Sequence, residues 1–221
     1  MIARIASLVV MLAACSSPAA EARAGTDAPP ATVFDELETR LLRAGVIGMD
    51  FHLTATGAAE IDVRGRFDMT PTGTDLRAAG TFAGQPVDLV LGRASDEIVF
   101  GRAADPLIAP VPEHLREALI LGLTRMGLLH NIARLTGNAP PDHADGGVAE
   151  WVRVDGFRTD STAARTLAFV ITVAGQPAGT AELELDEDGR PRLRRQTVRF
   201  PTGDMHVIER YDQVVVQAPG S

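Results

Sequence analysis

The amino-acid sequence predicts an α+β fold: a curved antiparallel sheet of about ten strands, an unclosed half-barrel, with an N-terminal helix and a central apolar lid helix on its concave face. The order of patterns leads to this prediction. A helical apolar period, about five alternating segments, a second helical period and about five further alternating segments follow one another. A buried core is expected, since 45% of the 221 residues are hydrophobic and 23% are charged.

The first fourteen residues have the pattern of an export signal. Arg4 provides a basic start, and residues 5–12 are apolar and precede small side chains. Eight apolar residues are too few for a helix to cross the ~30 Å of hydrocarbon in a bilayer. The only cysteine of the chain is Cys15, which excludes an internal disulfide and a cysteine-rich zinc site.

The residues Leu12-Ala-Ala-Cys15 resemble the lipobox of bacterial lipoproteins. The resemblance implies a signal peptide over residues 1–14, cleavage before Cys15 and attachment of acyl chains such as palmitate to Cys15, which anchors the protein to a membrane. Ser16 implies an outer-membrane location facing the periplasm in a cell with two membranes, and the outer face of the cell membrane otherwise. An ordinary cleaved signal or a buried thiol are the alternatives.

A tether, a helix and the first strands follow the cysteine. Residues 15–32 are rich in Ala, Ser and Pro, a composition typical of a flexible linker, so the folded domain is expected over residues 33–216. Thr32 is a candidate cap for a helix over residues 33–44, which Gly45 ends. Two-residue alternation then predicts strands over residues 48–56, 60–70, 75–83, 87–92 and 96–101.

The second helical pattern extends from Pro112 to about Thr136 and is apolar around most of its circumference. A helix of this kind must be covered on more than one side, which predicts a lid packed into the curved sheet. Residues 137–147 read as a loop. Alternation and turn residues then predict strands over residues 149–157, 165–174, 179–186, 192–200 and 205–215.

The segment Asp186-Glu-Asp-Gly-Arg-Pro-Arg-Leu193 and the strands that follow it, to Tyr211, are similar to the LolA/LolB-like superfamily. That superfamily includes periplasmic lipoprotein carriers, their outer-membrane receptor and mycobacterial lipid-binding lipoproteins. The resemblance covers about residues 33–216 and implies an unclosed barrel with a helical lid that binds acyl chains inside it. The expected function is a membrane-anchored lipoprotein that binds or transfers lipid acyl chains in the cell envelope.

An apolar cavity is expected between the sheet and the lid helix. The same side chains would also line a fully packed core, in which case the protein would be a structural or protein-interaction lipoprotein with an envelope protein as its partner. The candidate residues are the large apolar side chains of the alternating strands and of the lid helix, namely Phe51, Leu53, Phe67, Phe82, Leu89, Phe100, Leu119, Leu123, Met126, Phe169, Leu183 and Phe200.

All 21 basic residues are arginine, and 29 acidic residues give a net charge of −8, which argues against non-specific binding of nucleic acid. One cluster of arginines stands out against this acidic background. It fits the solvated face of a strand that pairs with Glu182 and Glu184, or a headgroup contact at a cavity rim. The cluster consists of Arg192, Arg194, Arg195 and Arg199.

No catalytic, metal or cofactor motif is found in the sequence, so a non-enzyme is expected. His52, His114 and His130 are not brought to a nucleophile by any pattern, and Ser95 and Ser161 lack a Gly-x-Ser-x-Gly elbow. One acidic, histidine-containing segment could offer metal ligands, but its spacing lacks the regularity of a helix-borne site and favours a polar loop. Its candidate ligands are Asp142, His143, Asp145 and Glu150.

Overall fold

The computed structural model describes residues 30–138, 152–159, 165–173 and 176–220. Its helices are α1 (Pro30–Arg43), α2 (Leu115–Leu121), a π-helical turn (Gly122–Met126) and α3 (Leu128–Thr136). The strands are β1 (Val46–Gly57), β2 (Ile61–Met69), β3 (Thr74–Phe82), β4 (Gln85–Ala94), β5 (Glu97–Arg102), β6 (Asp105–Pro110), β7 (Val152–Thr159), β8 (Arg165–Val173), β9 (Gln176–Leu185), β10 (Pro191–Phe200) and β11 (Gly203–Gln217).

The strands form one antiparallel sheet in the order β6-β5-β4-β3-β2-β1-β11-β10-β9-β8-β7. Each half of the chain is a meander, and the two meanders join where β1 pairs with β11. The sheet is not closed into a barrel, so the predicted fold class is confirmed. The eleventh strand, β6, was not predicted, because Pro106 and Pro110 obscure its pattern, and proline is tolerated there at the edge of a sheet.

Alternation places one face of each strand under the helices. In β1, Met49, Phe51 and Leu53 are buried, while the intervening His52 is only half-buried. The register carries this face across the sheet: Leu53 lies opposite Val63 in β2, and Phe51 lies opposite Tyr211 in β11. The helices fill the concave side of the sheet with a continuous hydrophobic core.

Helix α1 packs against β7 and α2 and begins at Pro30, three residues before the predicted start. Its buried stripe includes Phe34, Leu37 and Leu41, as predicted from the helical period. The Phe34 ring meets the ring of Phe169 edge-on, with 5.4 Å between the centroids. This contact ties the first helix to the second meander.

The predicted single lid helix is interrupted, which corrects the prediction for residues 112–136. A π-helical turn follows α2, and Gly127, at φ 87°, separates this turn from α3. A side chain on Gly122 would collide with Asn131, so the two helical arms approach closely at this glycine. The segment Gly122–Gly127 is hereafter the helix break. Within the described residues, no helix is long and apolar enough to span a membrane.

Candidate functional site

The predicted cavity residues separate into two groups. Nine of them lie in the hydrophobic core with at most 4% of their surface exposed: Phe51, Leu53, Phe67, Leu89, Phe100, Leu119, Leu123, Phe169 and Leu183. The remaining three are accessible, because Phe82 and Met126 are only half-buried and Phe200 is 45% exposed. The accessible group therefore marks where an apolar ligand could enter.

Phe82, Met126 and Phe200 line one apolar pocket at the end of the sheet, hereafter the end pocket. Its volume is about 360 Å³, and it lies among the β1–β2 turn, the β10–β11 turn, the helix break and α3. The nine buried residues of the predicted set do not border it. The other apolar side chains of its wall are Ala58, Ala59, Ile61, Leu129, Ala133, Val198, Met205 and Val207.

Two polar side chains at inward-facing strand positions, Gln196 of β10 and Glu209 of β11, border the end pocket. Glu209 is 1% exposed and accepts hydrogen bonds from the backbone N–H groups of Leu128 and Leu129, at 2.8 and 2.9 Å. It also accepts a hydrogen bond from the Tyr211 hydroxyl. The carboxylate thus caps the start of α3, where the helix dipole favours a negative charge.

Arg194 lies opposite Glu209 in the β10–β11 register and is fully buried. Its guanidinium donates hydrogen bonds to the carbonyl oxygens of Thr124, at 2.9 Å, and of Arg125. These two carbonyls belong to the π-helical turn, so the cation binds the end of one helical arm while Glu209 binds the start of the next. The helix break is held by opposite charges on two neighbouring strands.

Burial is the largest cause of the pKa shifts of Arg194 and Tyr211. Burial lowers the pKa of Arg194 from its usual value, while the charge of Glu209 opposes that shift. Burial, followed by the charge of Glu209, raises the pKa of Tyr211 well above its usual value. Tyr211 therefore remains a neutral hydrogen-bond donor to Glu209 at physiological pH.

The helix break is also tied to α1. Glu38, which is 7% exposed, accepts hydrogen bonds from the Thr124 hydroxyl at 2.8 Å and from Arg125 at 2.9 and 2.6 Å. The hydrogen bond with Glu38 raises the pKa of Arg125 against the opposing effect of burial. The Arg125 guanidinium also lies 5.4 Å from the Phe34 ring centroid, a cation–π distance. The break is thus connected to both halves of the fold.

The arginine cluster predicted at residues 192–199 is divided between the two faces of the sheet. Arg192 and Arg195 pair with Glu184, as the exposed-face interpretation predicted, and Arg199 is exposed. Burial opposes ionisation of Glu184, but the two arginines outweigh it and lower its pKa. For Arg194, the solvated-face interpretation is wrong, because its inward position buries it beneath the helix break.

Sequence reasoning missed Gln196, Glu209 and Tyr211. Alternation along β11 places Met205, Val207, Glu209 and Tyr211 on one face, so a charged residue at an apolar position was the available signal. A partner for that charge could not be identified, because neither interpretation of the arginine cluster places Arg194 beside a buried carboxylate. Buried charges require such partners, and here the partners are helix ends.

Several predicted site residues lie outside the described part of the chain. These are Cys15, Asp142, His143, Asp145, Glu150 and Ser161. Among the residues that the structure describes, no group of three or more His, Cys, Asp or Glu side chains could hold a metal ion. His52 lies 2.9 Å from Asp62 on the outer face of the sheet, away from the end pocket.

No family model and no curated protein matches the chain. Among solved structures, it is similar to an uncharacterized conserved protein from Thermus thermophilus, with 13% identity, a TM-score of 0.44, and coverage of 85% of this chain and 87% of that chain. It is also similar to the LolA superfamily protein NE2245 from Nitrosomonas europaea, with 6% identity and a TM-score of 0.41. This match covers 86% of this chain and 94% of that chain. LprF from Mycobacterium bovis is a third similar structure, with 11% identity and a TM-score of 0.39. This match covers 86% of this chain and 95% of that chain.

Proposed function

We propose that this protein is a non-catalytic, membrane-anchored lipoprotein of the cell envelope that binds lipid acyl chains in the end pocket. The observation that carries the proposal is the pocket itself, which opens to solvent beside Phe82, Met126 and Phe200 and is lined mainly by apolar side chains. Contact between water and an apolar pocket is unfavourable, and the free energy falls when a hydrocarbon chain replaces that water.

The size of the end pocket suits part of an acyl chain. Its volume of about 360 Å³ lies at the lower end of the range for small-molecule sites. Burial of one methylene contributes ~0.8 kcal/mol, so six methylenes contribute ~5 kcal/mol before the costs of association. Met126 and Met205 are flexible, polarizable side chains that can adapt to chains of different shape.

The proposed location follows from the amino-terminal sequence. The apolar segment before Cys15 would direct export, and acyl chains on Cys15 would hold the folded domain at a membrane through the residues between Cys15 and α1. The location would be the outer membrane, facing the periplasm, in a cell with two membranes. A domain held there lies beside its source of acyl lipids, so transfer of such lipids between membrane and partner is part of the proposal.

A second candidate function is a structural or protein-interaction lipoprotein. The observation that favours it is the burial of nine predicted cavity residues, which pack between the sheet and the helices as a core instead of bordering the end pocket. In that case the end pocket would have no lipid occupant, and the folded domain would present a surface to an envelope protein. The two candidates differ in whether the purified protein carries or takes up an acyl chain.

A substitution that fills the end pocket tests the proposal. Ala133 borders the pocket and is exposed, so tryptophan at this position narrows the entrance without disturbing the core. We expect Ala133→Trp to weaken binding of a fluorescent fatty-acyl probe at least about tenfold, equivalent to ~1.4 kcal/mol. Ala31→Trp places the same side chain on an exposed site of α1, outside the pocket, and should bind the probe as the original protein does.

Native mass spectrometry of the purified protein, followed by lipid extraction, provides the complementary measurement. A bound mass that extraction identifies as an acyl lipid, and that is lost in Ala133→Trp, supports the proposal. A protein that is repeatedly empty and takes up no acyl probe would contradict it and favour the interaction module.

A further inference from the structure

The orientation of the Gln196 side chain is fixed by Arg194. The Arg194 Nε atom donates a hydrogen bond to Gln196 Oε1 at 2.8 Å. A guanidinium nitrogen can only donate, so the atom that it contacts must be the amide oxygen and not the amide nitrogen. Arg194 is itself fully buried, and two carbonyl oxygens of the helix break hold its guanidinium in place. The orientation of the Gln196 amide is therefore fixed as well.

The amide nitrogen of Gln196 is left as a donor. Within the described residues it has no hydrogen-bond partner, and it is not among the unpartnered polar atoms that are sealed inside the protein. Gln196 borders the end pocket from an inward-facing position of β10, and only 8% of its surface is exposed. A donor placed in a mainly apolar pocket favours a ligand that brings an acceptor to it, because an unmade hydrogen bond there is costly.

The charges around Gln196 restrict what that acceptor can be. Among the titratable side chains, Glu209 and His130 border the end pocket and Arg194 does not, so a ligand faces a carboxylate and no arginine. A carboxylate in the pocket would meet this like charge, and each of the three guanidinium nitrogens of Arg194 already donates to a protein oxygen. A neutral carbonyl oxygen satisfies the amide nitrogen without this repulsion.

We propose that Gln196 is the specificity-determining residue of the end pocket, and that its amide nitrogen donates a hydrogen bond to the carbonyl oxygen of a neutral acyl ester or acyl amide. This inference rests on the proposed function and names the ligand class. The hydrocarbon chain lies against Met126, Leu129 and Phe200, and the carbonyl group lies beside Gln196. Free fatty acids, which are ionised at neutral pH, bind less tightly than their esters.

Three probes with chains of similar length test the inference: methyl decanoate, decanoate and dodecane, each measured by displacement of a fluorescent acyl probe. Relative to the transfer of each probe from water into a liquid hydrocarbon, we expect methyl decanoate to bind at least roughly fivefold more tightly than dodecane, the ratio that one hydrogen bond provides. Decanoate at neutral pH should bind more weakly than the ester, and its affinity should increase as the pH falls and its carboxyl group becomes protonated.

The variant Gln196→Glu keeps an oxygen for Arg194 Nε and removes the amide donor. It should eliminate the preference for methyl decanoate over dodecane, which is read from the ratio of the two affinities measured in the same variant. Gln176→Glu makes the same substitution at an exposed position of β9 and should retain the preference. If Gln196→Glu does not fold, the ester-to-alkane ratio of the original protein still decides.

The outcomes separate this inference from the proposed function. Equal affinity of the original protein for ester and alkane relative to their transfer into liquid hydrocarbon, or an unchanged preference in Gln196→Glu, overturns the role of Gln196 while acyl binding stands. Tighter binding of decanoate than of its ester at neutral pH overturns the assignment of a neutral ligand. Failure of all three probes to bind overturns the proposed function and this inference together.

Discussion

At the scale of single residues, the fold depends on two buried charges. Arg194 and Glu209 lie opposite each other on neighbouring strands, and each binds the end of a helical arm that complements its charge. Removing such groups from water costs several kcal/mol per ion, and that cost is offset only where hydrogen bonds satisfy the buried atoms. Here the carbonyl oxygens of the π-helical turn and the first N–H groups of α3 provide those bonds.

Removal of the buried cation should be strongly destabilising. Arg194→Met keeps most of the aliphatic volume but leaves Glu209 as an uncompensated buried charge and leaves two carbonyls without their donor. We expect a loss of roughly 3–5 kcal/mol in the free energy of unfolding, measured by urea denaturation. Arg195→Met, one residue along, removes an exposed ion pair with Glu184 and should cost less than about 1 kcal/mol. Equal losses would contradict the role given to Arg194.

Tyr211 predicts how stability changes at alkaline pH. Its pKa in the folded protein is raised well above the value of about 10 that it has in an unfolded chain. The stabilisation that depends on the neutral phenol is therefore complete below about pH 10 and is lost as the pH rises towards the folded pKa.

Urea denaturation at a series of pH values from about 8 to 11 measures this loss, whose limiting slope is ~1.4 kcal/mol per pH unit for one proton. Tyr211→Phe is the control: it loses the hydrogen bond to Glu209 at every pH, but it should show a shallower alkaline decline. An identical decline in the two proteins would show that another group is responsible.

At the scale of secondary-structure elements, the central lid consists of two helical arms that meet at the helix break. Gly127 makes this possible, since its φ of 87° and ψ of 160° are not accessible to a residue with a side chain without strain. A Cβ atom there would also lie 2.8 Å from the Glu209 Cδ atom, and Glu209 is fixed by three hydrogen bonds. The glycine permits the carboxylate to reach the start of α3.

Gly127→Ala should therefore destabilise the protein by roughly 1–3 kcal/mol through backbone strain and displacement of Glu209. Gly137→Ala, at the end of α3, is the matched control: its φ is −80°, and the nearest atom to an added Cβ is 3.5 Å away. That change should be close to neutral, within about 0.5 kcal/mol. Thermal denaturation of both variants compares the positions, and a neutral Gly127→Ala would contradict the proposed need for glycine.

The strands were predictable because alternation survives wherever one face is buried and the other is solvated, as in β2, where Ile61, Val63, Phe67 and Met69 alternate with polar residues. The helix break was not predictable. Gly122 and Gly127 interrupt an apolar pattern that continues on both sides, and only the approach of Asn131 and Glu209 shows why glycine is required. Periodicity describes which face is buried but not which atoms meet there.

At the scale of the whole molecule, the predicted cavity residues were largely core residues, and only Phe82, Met126 and Phe200 reach the end pocket. A sequence identifies large apolar side chains at inward positions, but packing against the helices decides which of them remain accessible. The polar part of the pocket depended on a contact across two strands and a helix end, which no local pattern encodes. The sequence thus led to the expectation of an apolar cavity, while the position of the end pocket and its polar residues required the fold.

Membrane attachment is a prediction about the complete protein. Cys15→Ala should release the protein from the membrane fraction, because the acyl chains that would bury methylenes in the bilayer are absent. Ser16→Ala leaves the cysteine in place and should remain membrane-bound. Fractionation of cells that express each variant, with detection of the protein in soluble and membrane fractions, measures the difference. Retention of Cys15→Ala at the membrane would refute the anchor.

The pairing of β1 with β11 has a consequence for the order of folding. The first and last strands of the domain form the centre of the sheet, with Val46 opposite Gln217. A ribosome delivers β1 through β6 as a meander of local contacts long before β11 exists, so the open edge of β1 must wait for β11. The slow step in assembling this domain is therefore expected to be the pairing of β1 with β11, and the nascent sheet remains incomplete until β11 has been made.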